Sequence, residues 1–299
     1  MSTPIQNRYD FVMLFDCKNG CPNGDPDAMN MPRIDPLTSH CLVTEACLKR
    51  KIRREVSLRH GDTPGFRLYI APDMVLNDKD NEAFAAANTS EKTLTSDRKK
   101  NPDVDKEIVK FICENYYDVR AFGGVMTGFA KAKAREAGIR GPVQIGFAES
   151  VHRVMVSQIS ITRQAVASAA ESEKSMHTMG SKSILPYGLF MCSGSVSAPL
   201  AEKTGFTEED LNILWESIIH IFDNDASSIR PYMALRKLFV FKHASKYGDA
   251  PAHTLVEAVE VQKKDPDQDD ESLRSFSDFE VTLHRENIPE SVEVIEMVR

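Results

Sequence analysis

Two periodicities organise the apolar positions of this chain. Tyr9–Phe15 (YDFVMLF) is a short, continuous apolar and aromatic run, the pattern of a buried strand. The turn-rich stretch CKNGCPNGDPDAMNMPRID (17–35) follows it. Residues 44–61 (TEACLKRKIRREVSLRHG) switch to helical spacing, with Leu48, Ile52 and Val56 at i, i+4, i+8. Thr44 suits the N-cap, Glu45 the first turn and Gly61 the stop. Lys49, Arg50, Lys51, Arg53 and Arg54 fill the remaining arc, which predicts an amphipathic helix with a basic outer face. Further on, 207–222 (TEEDLNILWESIIHIF) predicts a second amphipathic helix. Thr207 and Asp210 form its capping box, and Leu211, Leu214, Trp215, Ile218, Ile219 and Phe222 its buried stripe.

The intervening segments are less regular. Phe66–Ile70 predicts a short strand, NEAFAAAN and Asp105–Asn115 helices, and 61–116 as a whole an insertion without a separate core. Ala130–Ala137 reads as a short helix and Gly141–Ser160 as one or two strands. Small and polar residues at 162–183 separate that strand region from the next strand, Ile184–Ser197, which describes a projecting hairpin arm. Lys237–His243 and 279–284 (FEVTLH) predict two more strands, Leu255–Gln262 fits either state, and DPDQDDES (265–272) reads as an exposed linker. The order β, loop, α, insertion, β, arm, β, α, β fits an α+β fold. Its palm would be a split βαβ, ferredoxin-like or RRM-like, occupying 5–60, 117–161 and 184–299 of a single elaborated domain. Such cores often present a sheet to single-stranded RNA.

Composition sharpens this picture only in places. A chain of 299 residues with 41% hydrophobic content can bury a full core. No stretch approaches the roughly 20 apolar residues of a membrane span, and MSTPIQNRYD lacks a signal-peptide pattern, so a cytoplasmic location and no membrane partner are expected. The net charge of −7 argues against a nucleic-acid partner until its distribution is examined. Residues 257–299 hold 13 acidic and 5 basic side chains, leaving 32 basic against 31 acidic in the rest. Local basic patches are therefore open to the fold.

Three chemistries compete for 17–54. Cys17, Cys21, Cys41 and Cys47 with His40 offer zinc ligands, but the second cysteine pair is loosely spaced and runs into the helix, so cytosolic free thiols are the simpler reading. Asp16, Asp25, Asp27 and Asp35 could hold Mg²⁺ for phosphodiester cleavage. Asp beside Pro or Gly more commonly builds turns, and no nucleophile elbow or Walker loop is present. The helix offers a third choice, with Lys49/Arg53 and Arg50/Arg54 as i, i+4 cation pairs and only Glu45 and Glu55 nearby to neutralise them. That points to a phosphate-backbone site. In the arm, isolated Met176 and Met179 suit either packing on the body or wedging between bases.

The segments FDCKNGCPNGDPDAMNMPRID, LVTEACLKRKIRREV, YDVRAFGGVM, VMVSQISITRQAV, HTMGSKSILPYGLF and LRKLFVFKH resemble a known family. It is the CRISPR-associated backbone subunit of type I effector complexes (Cascade), a crRNA-binding group of the RAMP superfamily, and the resemblance is specifically to the type I-C branch. The resemblance implies a palm with inserted fingers (about 61–116) and a thumb-like hairpin (about 162–183). It also implies a head-to-tail homo-oligomeric filament on crRNA, guide pairing with target DNA, and contact with the crRNA-processing, large and small subunits. No cofactor and no catalysis are implied. By the same resemblance Lys49, Arg50, Arg53 and Arg54 line the RNA, with Gln158, Ser160 and Arg163 at the thumb base. Lys182 lies on the thumb, Met176 and Met179 are base-wedge candidates, and Asn23 and Arg33 belong to the signature loop. The related type III subunit cuts RNA with a loop Asp, which keeps a Mg²⁺-dependent ribonuclease using the 16–35 loop as the alternative. Cys17 and Cys21 stand where the family commonly carries other small or polar residues.

Overall fold

The computed structural model describes residues 3–135, 137–162 and 179–298. Strand β1 (Tyr9–Gly20) is followed by β2 (Gly24–Asp25), β3 (Met31–Ile34), β4 (Cys41–Val43) and helix α1 (Glu45–His60). Next come α2 (Leu76–Ala86), α3 (Leu94–Asp97), α4 (Val104–Asn115), α5 (Tyr117–Phe122), β5 (Gly123–Val125) and α6 (Thr127–Lys131). Strands β6 (Gly138–Arg140), β7 (Val143–Ile145), β8 (Ala148–Ser150), β9 (Ser157–Thr162) and β10 (Met179–Val196) follow. The rest is α7 (Ala198–Thr204), α8 (Glu208–Ile219), β11 (Tyr232–His243), α9 (Ala252–Glu257), β12 (Val259–Lys263), β13 (Phe279–Leu283) and β14 (Val292–Val298).

One large antiparallel sheet dominates, in the order β14-β11-β1-β10-β8-β4-β3-β2, with β7 and β9 also paired to β10. β1 is central. Phe11, Met13 and Phe15 point to one face, where Leu48, Ile52 and Val56 of α1 and Leu211, Leu214, Trp215 and Ile218 of α8 close the main core. Val12 and Leu14 point to the other face, covered by Leu255, Val259, Leu273 and Phe279. Cover on both faces explains why the YDFVMLF run is continuously apolar rather than alternating. Close strand packing also fixes Gly194 on β10, since a Cβ there would lie only 2.3 Å from the Phe11 ring.

The helices begin as the sequence predicts. Thr44 accepts from the Cys47 amide at the start of α1, and Thr207 with Asp210 closes a reciprocal capping box at the start of α8. Other boundaries move. β1 continues to Gly20, because Asp16, Cys17 and Lys18 keep pairing with β10 and β11 beyond the apolar run. Phe66–Ile70 forms no strand and makes only an isolated bridge from Arg67 to Tyr116. The 61–116 segment shares with residues 119–132 a hydrophobic cluster separate from the main core, which the sequence did not lead us to expect. Tyr69, Phe84, Leu94, Ile108 and Ile112 pack with Tyr116, Met126 and Phe129, so several short helices together do what no single one does. The exposed acidic stretch 265–272 links β12 and β13 as a hairpin. No helix among the described residues is long and apolar enough to cross a membrane.

β10 changes partner along its length. Leu185–Val196 pair with β1, whereas Met179–Ile184 pair antiparallel with β9. Beyond Ser157, the described β9 side chains are exposed. Arg163 and Met176 lie outside the described residues. Of Met179 only the backbone position is described, opposite Thr162.

Candidate nucleic-acid interface

The two cation pairs on α1 meet different fates. Lys49 and Arg53 turn toward the Phe122 ring, at 5.7 and 5.2 Å from its centroid. Burial lowers the Lys49 pKa. Arg53 is only 12% exposed and donates to buried Asp118 at 2.8 Å. Asp118 also accepts from the amides of Tyr69 and Ile70, at 2.7 and 3.0 Å, and so ties α1 to the helical insertion. Arg50 and Arg54 face outward, at 56% and 48% exposure, with guanidinium groups 3.8 and 3.7 Å from Asp225. Lys51 corrects the expectation of a uniformly basic outer face. It is fully buried and ion-paired to Asp225. The sequence offered only Glu45 and Glu55 as counter-ions because Asp118 and Asp225 arrive from far along the chain.

Burial pushes the Asp225 carboxyl up, but the Lys51 ammonium, Arg230 and Arg50 outweigh it and hold it below the ordinary carboxylate range. Arg230 donates to it at 3.1 Å. The loop bearing Asp225 and Arg230 is stitched to the end of β1, where the Cys21 amide donates to the Ile229 carbonyl at 2.8 Å. It is also stitched to β10, where Lys182 donates to the Ser228 carbonyl at 2.7 Å. Two residues past Arg230, Tyr232 pairs with exposed Lys18 of β1. Arg50, Arg54, Arg230, Lys18 and Lys182 are thereby collected around one end of the sheet. Several positive side chains on a connected surface are what a phosphate backbone requires.

Tyr232 and Arg236 extend this end onto the sheet face opposite α1. The Tyr232 hydroxyl accepts from Arg236 at 2.9 Å, and Arg236 is held by the buried Asp16 carboxylate at 2.8 Å. Tyr187 donates to the same carboxylate at 3.2 Å. The Arg236 guanidinium lies 5.8 Å from the Tyr232 ring centre and 5.6 Å from that of Phe276. Sequence reading did not single out Lys18, Arg230, Tyr232 and Arg236 as candidates. The available signal was the stretch RPYMALRK (230–237), which interleaves basic and aromatic residues.

The signature loop is largely occupied with its own conformation. The Asn23 side-chain oxygen accepts from both the amide and the hydroxyl of Thr44, each at 2.9 Å, and so secures the cap of α1. Arg33 lies 3.5 Å from Asp25, whose carboxylate also accepts from the Asp27 amide. Asp35 accepts from the Leu37 amide at 2.8 Å, which lowers its pKa. Asp16 belongs to β1, not to the loop. Burial pushes the Cys17 and Cys21 thiols up to about 12 and about 11, which favours the protonated form over the thiolate that ligates metals. All six cysteines are free. Gln158 and Ser160 stand exposed on β9, opposite Ser183 and Ser181. Some of the C-terminal acidic excess is used internally, as Glu296 pairs with Lys237, Glu293 with Lys242 and Asp270 with Lys263.

Comparison with known proteins gives consistent matches. A CRISPR-associated protein Cas7 from Haloferax volcanii is 24% identical over 311 residues, covering 98% of this chain and 84% of that protein. A chain of a solved "CRISPR RNA-guided surveillance complex, pre-nicking" superimposes with a TM-score of 0.50 at 14% identity, covering 78% of each chain, which shows a shared fold. A chain of another "CRISPR RNA-guided surveillance complex" gives 0.45 at 13% identity, over 78% of this chain and 68% of that one. The family model for CRISPR-associated protein Cas7 matches residues 7–284, and the chain belongs to that family.

Proposed function

We propose that this protein is the crRNA-gripping backbone subunit of a type I effector complex, of the type I-C branch. Copies would stack head-to-tail on the guide, which pairs with target DNA, while the other Cascade subunits bind the ends and flank of the filament. The observation that carries the reading is the gathering of Arg50, Arg54, Arg230, Lys18 and Lys182 at one end of the central sheet. The strand order β11-β1-β10-β8, with α1 and α8 on one face, supports an RRM-like palm, because it follows the 4-1-3-2 order of a split βαβ core. Pairing of β9 with the start of β10 supports a projecting thumb. Gln158, Ser160 and Arg163 would then lie at the thumb base, and Met176 or Met179 nearer its tip.

The subunit would bind rather than cut. In support, the carboxylates of Asp25 and Asp35 are engaged by backbone amides of their own turns, and Asp16 is engaged by Arg236 and Tyr187.

Arg50 and Arg54 are the residues on which to test RNA binding, since Lys49 and Arg53 also serve the fold. The Arg50→Ala/Arg54→Ala double variant should keep its melting profile and lose affinity for single-stranded guide RNA. The slope of log affinity against log salt should become shallower by roughly 1.4, at about 0.7 per lost phosphate contact. Unchanged affinity and slope would overturn the helix assignment. Cleavage of labelled guide or target RNA with Mg²⁺, and not without it, would favour the ribonuclease alternative.

A further inference from the structure

We infer that the exposed ring of Tyr232, braced by Arg236, is a stacking platform for an unpaired base of the bound RNA. This rests on the RNA-binding reading above and adds a base contact to it. Tyr232 is 44% exposed although it opens a strand of the central sheet. Its position is fixed by a chain of polar contacts rather than by burial. The hydroxyl accepts from Arg236, and Arg236 is anchored on buried Asp16 and packed over Phe276. An aromatic side chain held this way loses little conformational freedom on binding, and that makes it an effective stacking surface. The Arg236 guanidinium adds a planar cation beside the ring and has a buried Nε without an acceptor among the described residues.

The surroundings select the occupant. Lys18 is the cross-strand neighbour of Tyr232, and Arg230 precedes it by two residues. Lys182 is fastened to the loop that carries Arg230. A cavity of about 210 Å³ is lined by both Arg230 and Tyr232. An apolar ring set among cations suits an anionic chain that carries planar groups, which is a single-stranded nucleic acid. Elsewhere the same sheet face is covered by β12, β13 and α9, so this end is where a base can reach it.

The test is equilibrium binding of fluorescein-labelled single-stranded RNA and of an abasic ribose-phosphate strand of equal length. Tyr232→Ala should weaken binding of the normal strand about thirtyfold, the middle of the range for one stacked base. Its salt slope should stay that of wild type, and the abasic strand should bind both proteins equally. Tyr232→Phe, which keeps the π-face but loses the hydroxyl that accepts from Arg236, should fall between wild type and Tyr232→Ala. Tyr232→Leu, which keeps bulk without a π-face, should lose affinity, and this variant decides the matter if Tyr232→Ala fails to fold. Equal loss on normal and abasic strands, or no loss for Tyr232→Leu, overturns the platform while leaving RNA binding intact. Absence of RNA binding by the wild-type protein overturns both.

Discussion

Asp225→Asn should destabilise this protein far more than Lys51→Met, although the two residues form one ion pair. Lys51 is completely buried, and Asp225 is its counter-ion. Around the ammonium the other described neighbours include the Phe222 ring, 5.7 Å away, the Cys47 thiol and the Arg230 guanidinium, none of which is a carboxylate. Asp225, by contrast, is also served by Arg230 at 3.1 Å and by Arg54 and Arg50 at 3.7 and 3.8 Å. Neutralising Asp225 strands a buried cation, a loss of about 3–5 kcal/mol. Replacing Lys51 with a methionine of similar length leaves an aspartate that still faces three guanidinium groups, at a cost below about 2 kcal/mol. The double variant removes both charges and should recover to within about 2 kcal/mol of wild type.

Thermal unfolding reads this directly. For a chain of this size each kcal/mol moves the midpoint by about 2–4 °C, so Asp225→Asn should fall by about 10 °C and Lys51→Met by a few degrees. The sign of the pH dependence follows from the same geometry. Asp225 has a depressed pKa in the fold, so its contribution is present above about pH 4 and is lost as pH falls through the folded value. Asp225→Asn should therefore show a flatter acid limb. Equal shifts for the two single variants, or a double variant whose loss is the sum of the singles, would refute the reasoning.

Two further outcomes test the division between fold and site. Asn23→Ala removes the acceptor for both Thr44 donors and should lower stability by about 1–2 kcal/mol in urea titration while leaving the salt slope of RNA binding unchanged, because its side-chain oxygen is committed to the helix cap and carries no charge. His152 is held neutral by burial, stacked on Tyr187 and packed against Phe279. The unfolded chain takes up its proton below about pH 6.5 and the folded chain resists, so stability falls as pH drops from about 6.5 toward the depressed folded value. His152→Phe should flatten that part of the pH–melting curve.

What could be read from the sequence was whatever a local period or cap encodes. Leu48, Ile52 and Val56 fixed the inner face of α1, and Thr207 with Asp210 fixed the start of α8, because these signals act within one or two turns. What escaped depended on distant partners. β1 extends past Phe15 because Tyr187 and Tyr232 are there to pair with Lys18, and no local pattern announces that. β14 was missed, since SVEVIEMV alternates weakly and becomes a strand by pairing with β11. The cluster around Tyr69, Phe84 and Ile108 is assembled from short helices whose individual apolar faces are small. For the candidate site, the sequence supplied the cations of α1 but not their directions. Arg53 and Lys51 look like surface cations until Asp118 and Asp225 are brought to them.

The position of Asp225 would let one helix both hold the fold and, on the function proposed above, grip an anion. Successive residues of α1 point about 100° apart, so Lys51 can turn inward while Arg50 and Arg54, on a common side, stay outside. Asp225 satisfies Lys51 and Arg230 by direct hydrogen bonds, yet it meets Arg50 and Arg54 only at 3.8 and 3.7 Å, beyond ordinary hydrogen-bond length. One carboxylate therefore faces four cations. It neutralises the buried one, restrains the other three near it and leaves their outer N–H groups free. Restraint of this kind would lower the entropy lost if a phosphate binds there, and the uncompensated charge would supply the attraction. A second carboxylate at this place would cancel the attraction. A hydrophobic residue would leave Lys51 unpaired and the arginines unrestrained. A single aspartate shared among Lys51, Arg50, Arg54 and Arg230 is the arrangement that serves both the core and the surface.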